Sequence, residues 1–210
     1  FSFQLPSLVI CELLGMPIEK QEDLKRWADG LAGFIASAQV TSEKAIFAES
    51  VALEAQEYLK QLFEEIRKNP GENLLSRVLT APPEDDKLTD QELAALTVNL
   101  FFAGFETTEG LISNMVRALS DNPDQLELLR SNPELIDPAV EETLRFDSSI
   151  QKQSRIAGED IEIHGQKIKK GDYVHFMIGA ANRDPLRFSN PERFDITRKD
   201  AGNVSFGHGI

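Results

Sequence analysis

The chain places an acid beside an alcohol, Glu106-Thr107, inside the run Ala103-Gly104-Phe105-Glu106-Thr107-Thr108. A carboxyl group next to a hydroxyl can pass protons to a bound group. Glycine and threonine lower helix stability, so their placement within a long apolar-periodic segment suggests a use. A threonine hydroxyl can bond back to a carbonyl one turn earlier and Gly104 removes a side chain, so the run can loosen a helix and open a groove for a small ligand. The other reading of the same residues is a packing defect beside a solvated glutamate. A second pair, Glu142 and Arg145, puts a carboxylate and a guanidinium on one helix face. On a surface such a pair contributes little. Buried and joined by another arginine, for which Arg193 is the candidate, it would fix a loop against a helix through bidentate bonds. Arg155 and His208 are basic groups suited to carboxylates, whereas His164 and His175 read as structural, with no metal-ligand companion at useful spacing. No G-x-S-x-G turn, G-x-G-x-x-G or phosphate loop occurs, so a serine hydrolase and direct nucleotide binding have no support.

The elements that must position these groups are mostly helices. An apolar helix from the first residues ends at Gly15-Met16-Pro17, where glycine can cap and proline cannot continue. Helical spacing from about Ile18 to Ile35 (Leu24, Trp27, Leu31, Phe34) and from about Thr41 to Lys68 (Val51, Ala55, Tyr58, Leu62, Ile66) predicts two long amphipathic helices. A short helix over 72–79 and a solvated loop over 81–86 follow. Thr89 with Glu92 three residues on is a capping signal for a long helix over about 89–120, which carries the acid-alcohol pair. Pro123, Pro133 and Pro138 each suit a first helical turn, the last opening a helix through Phe146. After Asp147 the texture changes: Ile161–Ile163 and Gln166–Ile168 around His164-Gly165 predict a β-hairpin, Tyr173–Ile178 predicts a strand, and 182–194 is irregular. No linker separates the two textures, so residues 1–210 read as a single partial domain, mainly helical over 1–147.

Composition narrows the function classes. At 210 residues and 41% hydrophobic content the chain can bury a sizeable core. A net charge of −13 argues against nucleic-acid partners, which require a basic face. The single cysteine, Cys11, lies in an apolar run and reads as a buried packing thiol, and a reducing compartment is expected. The longest apolar stretch, 96–105, is too short to span a bilayer.

Taken in order, these motifs resemble those of the cytochrome P-450 superfamily. Ala103–Thr108 resembles the family's oxygen-binding helix motif and Glu142–Arg145 its E-x-x-R helix. Asn182–Pro185 and Pro191–Phe194 resemble the segment that follows, and Phe206–Ile210 resembles the opening of the haem-thiolate loop, F-G-x-G-x-H-x-C. Val9–Pro17 resembles, less sharply, the run before the paired helices that roof the substrate pocket. The resemblance covers essentially the whole chain, which represents roughly half of a usual member. It implies a fold that is mainly α with a small β region, incomplete at both ends, and a haem b monooxygenase that inserts one oxygen atom of dioxygen into a small, largely apolar substrate. It further implies that Glu106 and Thr107 deliver protons, that Ala103 and Gly104 border the oxygen groove, and that Arg155, Phe206 and His208 bind the cofactor. Leu100 and Ile150 would approach substrate, the latter within Ser148–Gln151, and Glu142, Arg145 and Arg193 would form a structural triad. Ser149 departs from the proline common in relatives, so the chain path beside the substrate is expected to differ there.

The iron ligand implied by the resemblance is a cysteine beyond Ile210, so no metal ligand lies within the chain. Electrons would come from a ferredoxin or flavoprotein partner, with NAD(P)H acting indirectly, in a cytoplasmic setting. Two alternatives stay open at this point. One is a non-catalytic fragment or remnant of the family with a structural or binding role; the other is a peroxide-driven oxygenase, which the Glu106-Thr107 pair disfavours.

Overall fold

Glycine and capping side chains set several of the helix ends in the protein, seen here in a computed structural model that describes residues 1–35, 41–82, 88–200 and 202–208. Helix α1 (Gln4–Leu14) ends at Gly15, whose φ of 70° is left-handed. The Met16 N–H reaches the Cys11 carbonyl at 2.8 Å and the Gly15 N–H the Glu12 carbonyl at 3.1 Å, the paired bonds of a Schellman cap. A side chain at Gly15 would also fall 2.2 Å from the Asn73 amide, so only glycine fits there. A 3-10 turn (Ile18–Lys20) leads into α2 (Gln21–Ile35). Helix α3 (Ser42–Lys68) is capped by the Thr41 hydroxyl, and α4 (Leu74–Thr80) by the Asn73 side chain, which accepts the Ser76 N–H at 2.9 Å. Helix α5 (Asp90–Asp121) opens on a capping box: Glu92 Oε2 accepts the Thr89 N–H at 2.8 Å and Thr89 Oγ1 accepts the Glu92 N–H at 3.2 Å.

The chain divides into two compact units, Phe1–Glu109 and Gly110–Ile210. The first holds α1 to α4 and the first part of α5 around a core that includes Leu14, Trp27, Ala55, Phe63, Leu75 and Phe105. Leu24, Val51, Leu62 and Ile66 are buried as their spacing predicts; Phe34, assigned to the same inner stripe, is exposed.

The second unit holds the rest of α5, α6 (Pro123–Ser131), a 3-10 turn (Pro133–Leu135) and α7 (Ile136–Phe146), which opens two residues ahead of Pro138. Four short strands follow: β1 (Gln153–Ile156), β2 (Ile161–Ile163), β3 (Gln166–Ile168) and β4 (Tyr173–Phe176). β2 and β3 form the expected hairpin, with His164 at φ 49° and Gly165 at φ 76°, the pattern of a type I′ turn. β1 is an element that the sequence reading left out; it pairs antiparallel with β4, Arg155 opposite Val174. The strand expected through Ile178 stops at Phe176, and Ile178 instead opens the one-turn helix α8 (Ile178–Ala181). Ala118, Leu119, Ala139, Phe194 and Ile196 form this unit's core. The loop expected over 81–86 lies outside the described residues from 83 on, as do Gly209 and Ile210. No helix among the described residues is long and apolar enough to cross a membrane.

Candidate functional site

In the first unit the acid-alcohol run lies within an unbroken helix. Thr107 Oγ1 donates to the Ala103 carbonyl at 2.7 Å, the back-bond that its sequence position permits. Glu106 and Ala103 are exposed, while Thr107, Leu100 and Gly104 are half-buried. Leu96, Asn99, Ala103 and Glu106 recur at i, i+3 and i+4 spacing, so these exposed residues line one side of α5. The missing side chain of Gly104 serves a close helix contact: a Cβ there would come 3.2 Å from Ile10 Cδ1 of α1. Lys25 of α2 binds Asp29 at 2.8 Å and lies 5.9 Å from the Phe105 ring centre. The Asp29 bond raises the Lys25 ammonium above its ordinary value against the opposing effect of desolvation, and the Glu109 and Glu106 carboxylates add to the rise. A cation of α2 therefore stands in the field of Glu106. A cavity of about 430 Å³ in this unit is bounded by Leu31, Leu53, Gln56, Val98, Asn99 and Phe102. Leu100 is not among its lining residues, because α5 turns a different face toward it.

In the second unit the Glu142–Arg145 pair is buried, each side chain only 2% exposed. Arg145 commits all five of its N–H groups. Nε and Nη2 donate to the two Glu142 carboxylate oxygens at 2.8 and 2.9 Å. Nη1 and Nη2 donate also to the carbonyls of Asn182, Pro191 and Arg193 at 2.9, 2.9 and 3.2 Å. The third member of the network is not the guanidinium of Arg193, which is exposed and lends only its carbonyl. It is that of Arg198, whose Nε reaches both Glu142 oxygens at 3.2 and 3.0 Å and whose other donors take the Ser189, Asn190 and Arg193 carbonyls. The Asp195 N–H completes the carboxylate's shell at 2.9 Å. These bonds tie the irregular 182–198 segment to α7. Both Arg193 and Arg198 lie in that segment, and no periodicity there separates an inward from an outward arginine.

The remaining residues singled out lie on exposed positions of the second unit or on the turn after α7. Arg155 is exposed, bonded to the Ser154 carbonyl at 2.9 Å and Gln153 Oε1 at 3.4 Å. It makes no ion pair among the described residues. Phe206 is 88% exposed and His208 is exposed, on either side of Gly207, whose φ of 83° is left-handed. Ile150 is half-buried on a turn anchored to α5: Asn114 Nδ2 donates to the Asp147 carbonyl at 2.8 Å, and Arg117 pairs with the Asp147 carboxylate. Cys11 is 2% exposed, and burial pushes its thiol up, as befits a packing group rather than a thiolate ligand.

Residues 42–208, which carry both the acid-alcohol helix and the buried Glu-x-x-Arg pair, match the cytochrome P450 family model. The chain belongs to that family. It is 44% identical to the biotin biosynthesis cytochrome P450 of Bacillus subtilis strain 168, over the whole chain and 52% of the relative. It is 43% identical to cytochrome P450 CYP107DY1 of Priestia megaterium, covering 50% of that protein. The chain thus spans about half the length of these relatives. Among solved structures, P450BioI in complex with hexadec-9Z-enoic acid ligated acyl carrier protein superposes with a TM-score of 0.91 at 42% identity, and CalO2 with 0.92 at 32%. Each is covered over about half its chain, 53% and 52% respectively.

Proposed function

We propose that the protein to which these residues belong is a haem-dependent monooxygenase that inserts one oxygen atom of dioxygen into a small, largely apolar organic substrate, with electrons from a ferredoxin or flavoprotein and ultimately NAD(P)H. The observation that carries the reading is the family match over 42–208, which contains both the acid-alcohol helix and the buried Glu142–Arg145 network.

The donor set present fits a haem in chemical character. The propionates of a haem are carboxylates, and Arg155 offers an exposed guanidinium that pairs with no carboxylate among the described residues, with His208 exposed on the terminal turn. Arg155 and His208 would hold the propionates, Phe206 would pack against the ring, and Ala103 and Gly104 would border the distal side. The thiolate ligand would come from a cysteine beyond Ile210, since Cys11 is a buried thiol in α1. Haem supplies the dioxygen chemistry when bound.

What the chain's own groups do follows from their bonds. The Thr107 hydroxyl hydrogen is committed to the Ala103 carbonyl at 2.7 Å, so its oxygen acts toward a neighbour as an acceptor. Thr107 therefore orients a proton-carrying group, and exposed Glu106 supplies and renews the proton from solvent. The apolar side chains Leu100 and Ile150 would face the substrate. An apolar substrate class gains support from the structure of P450BioI in complex with hexadec-9Z-enoic acid ligated acyl carrier protein, which this chain resembles at 42% identity. A cytoplasmic location accords with this reading.

The test is the absorption spectrum of the full-length protein, reduced and exposed to carbon monoxide. A strongly red-shifted Soret band is expected. Absence of haem, or a band typical of a neutral axial ligand, would overturn the reading.

A further inference from the structure

Helix α7 stops at Phe146, and a helix leaves the carbonyls of its last turn without partners inside the helix. Distant residues supply those partners here. The Leu144 carbonyl accepts Ser205 Oγ at 2.7 Å and Asn182 Nδ2 at 3.4 Å. The Phe146 carbonyl accepts Arg183 Nη2 at 2.8 Å. Asn182, which follows α8, is fully buried and uses each of its polar groups. Its side-chain oxygen accepts the Val204 N–H at 2.8 Å, and its amide nitrogen also donates to Ser205 Oγ at 3.0 Å. Its main-chain carbonyl accepts Arg145 Nη1 at 2.9 Å, and its N–H reaches the Ile178 carbonyl at 2.9 Å. Val204 then closes the next turn, its carbonyl accepting the Gly207 N–H at 2.9 Å.

We propose that Asn182 is a positioning residue for the Phe206–His208 turn: its side-chain amide fixes the register of Val204-Ser205 against the C-terminal end of α7, and so sets where the turn begins. The inference rests on reading that turn as the start of the haem loop. Asparagine is required because the position needs an acceptor for Val204 and a donor for Ser205 and Leu144 at once. An ionised aspartate has the shape and the acceptor but no donor.

The experiment compares Asn182→Asp, Ser205→Ala and, as a control at a 96% exposed side chain in the same segment, Leu186→Ala in the full-length protein, after far-ultraviolet circular dichroism has confirmed folding. Amide hydrogen exchange over 204–207 and the spectrum of the reduced, carbon monoxide-bound protein are both read. Asn182→Asp and Ser205→Ala are expected to speed exchange at these amides by about tenfold, the effect of one lost hydrogen bond, and to move part of the spectrum away from the wild-type band. Leu186→Ala should change neither. Unchanged exchange in the folded variants would overturn the proposal, as would faster exchange with an unaltered spectrum, since the bonds would then be structural only. Where Asn182→Asp fails to fold, Ser205→Ala decides alone. A wild-type protein without haem would sink the functional reading, while the exchange result would still report whether Asn182 holds the turn.

Discussion

The two units use charge in opposite ways. The first keeps the carboxylate of Glu106 exposed on one side of a single helix, and the bond that shapes the run, Thr107 to Ala103, spans one turn. The second buries a carboxylate against two guanidiniums, with partners from 3 to 56 residues away along the chain. Desolvating charges is costly, and a buried pair persists only when its remaining donors and acceptors are satisfied. Arg145 and Arg198 meet that demand by collecting main-chain carbonyls, so the network also substitutes for secondary structure in the irregular 182–198 segment. The comparison separates an exposed run, proposed above to handle protons, from a buried clamp that fixes the 182–198 segment.

The largest effect should come from breaking the clamp. Glu142→Ala would leave two buried guanidiniums uncompensated, costing about 3–5 kcal/mol, and urea unfolding should show the second unit melting first or the protein failing to accumulate. Arg145→Lys should fall nearly as far, because an ammonium cannot reproduce five N–H bonds in fixed directions.

The proposed proton path should respond inversely. Glu106→Gln and Thr107→Val in the full-length protein are expected to lower product formation by about a hundredfold, as loss of a proton-transfer group does, with little change in the unfolding midpoint. Equal turnover in both variants would remove these residues from the proposed proton path.

A finer division lies within the clamp. Arg198→Ala should cost about 1.5–3 kcal/mol through lost charged hydrogen bonds, whereas Arg193→Ala should stay within about 0.5 kcal/mol, since only its carbonyl participates. The reverse order in denaturant titrations would restore Arg193 as the third member.

The smallest effect concerns the start of α5. Thr89→Ala should cost about 1 kcal/mol as a lost N-cap. The hydrogen bonds from the Thr89 N–H and hydroxyl hold the Glu92 carboxyl below its ordinary value. Its stabilising contribution is therefore present above the ordinary carboxylate pKa and lost as pH falls through the lowered one. The wild type should lose stability on acidification over that window more than a Glu92→Gln variant does.

Local chemistry made much of this legible in the sequence. The Schellman glycine at Gly15, the Thr89–Glu92 box, the His164-Gly165 hairpin and the Thr107 back-bond are all contacts within eight residues, so residue type and spacing carry them. The misreadings share the opposite property. Strand β1 depends on its pairing with β4, some twenty residues on, and its four residues, three of them polar, give no alternation to detect. Ile178 reads as strand because it continues an apolar run, yet its burial comes as the first residue of a one-turn helix.

By itself the sequence determined the helical order, the caps, the family motifs and the chemistry available at Glu106-Thr107, because these follow from neighbours along the chain. Only the tertiary structure decided that Arg198 rather than Arg193 meets Glu142, that Gly104 makes room for Ile10, and that Asn182 holds Val204 and Ser205. Each of those depends on which side chain of an aperiodic segment turns inward or on what another element brings against it. That is fixed by satisfying buried polar groups and packing across distant segments, which no local spacing encodes.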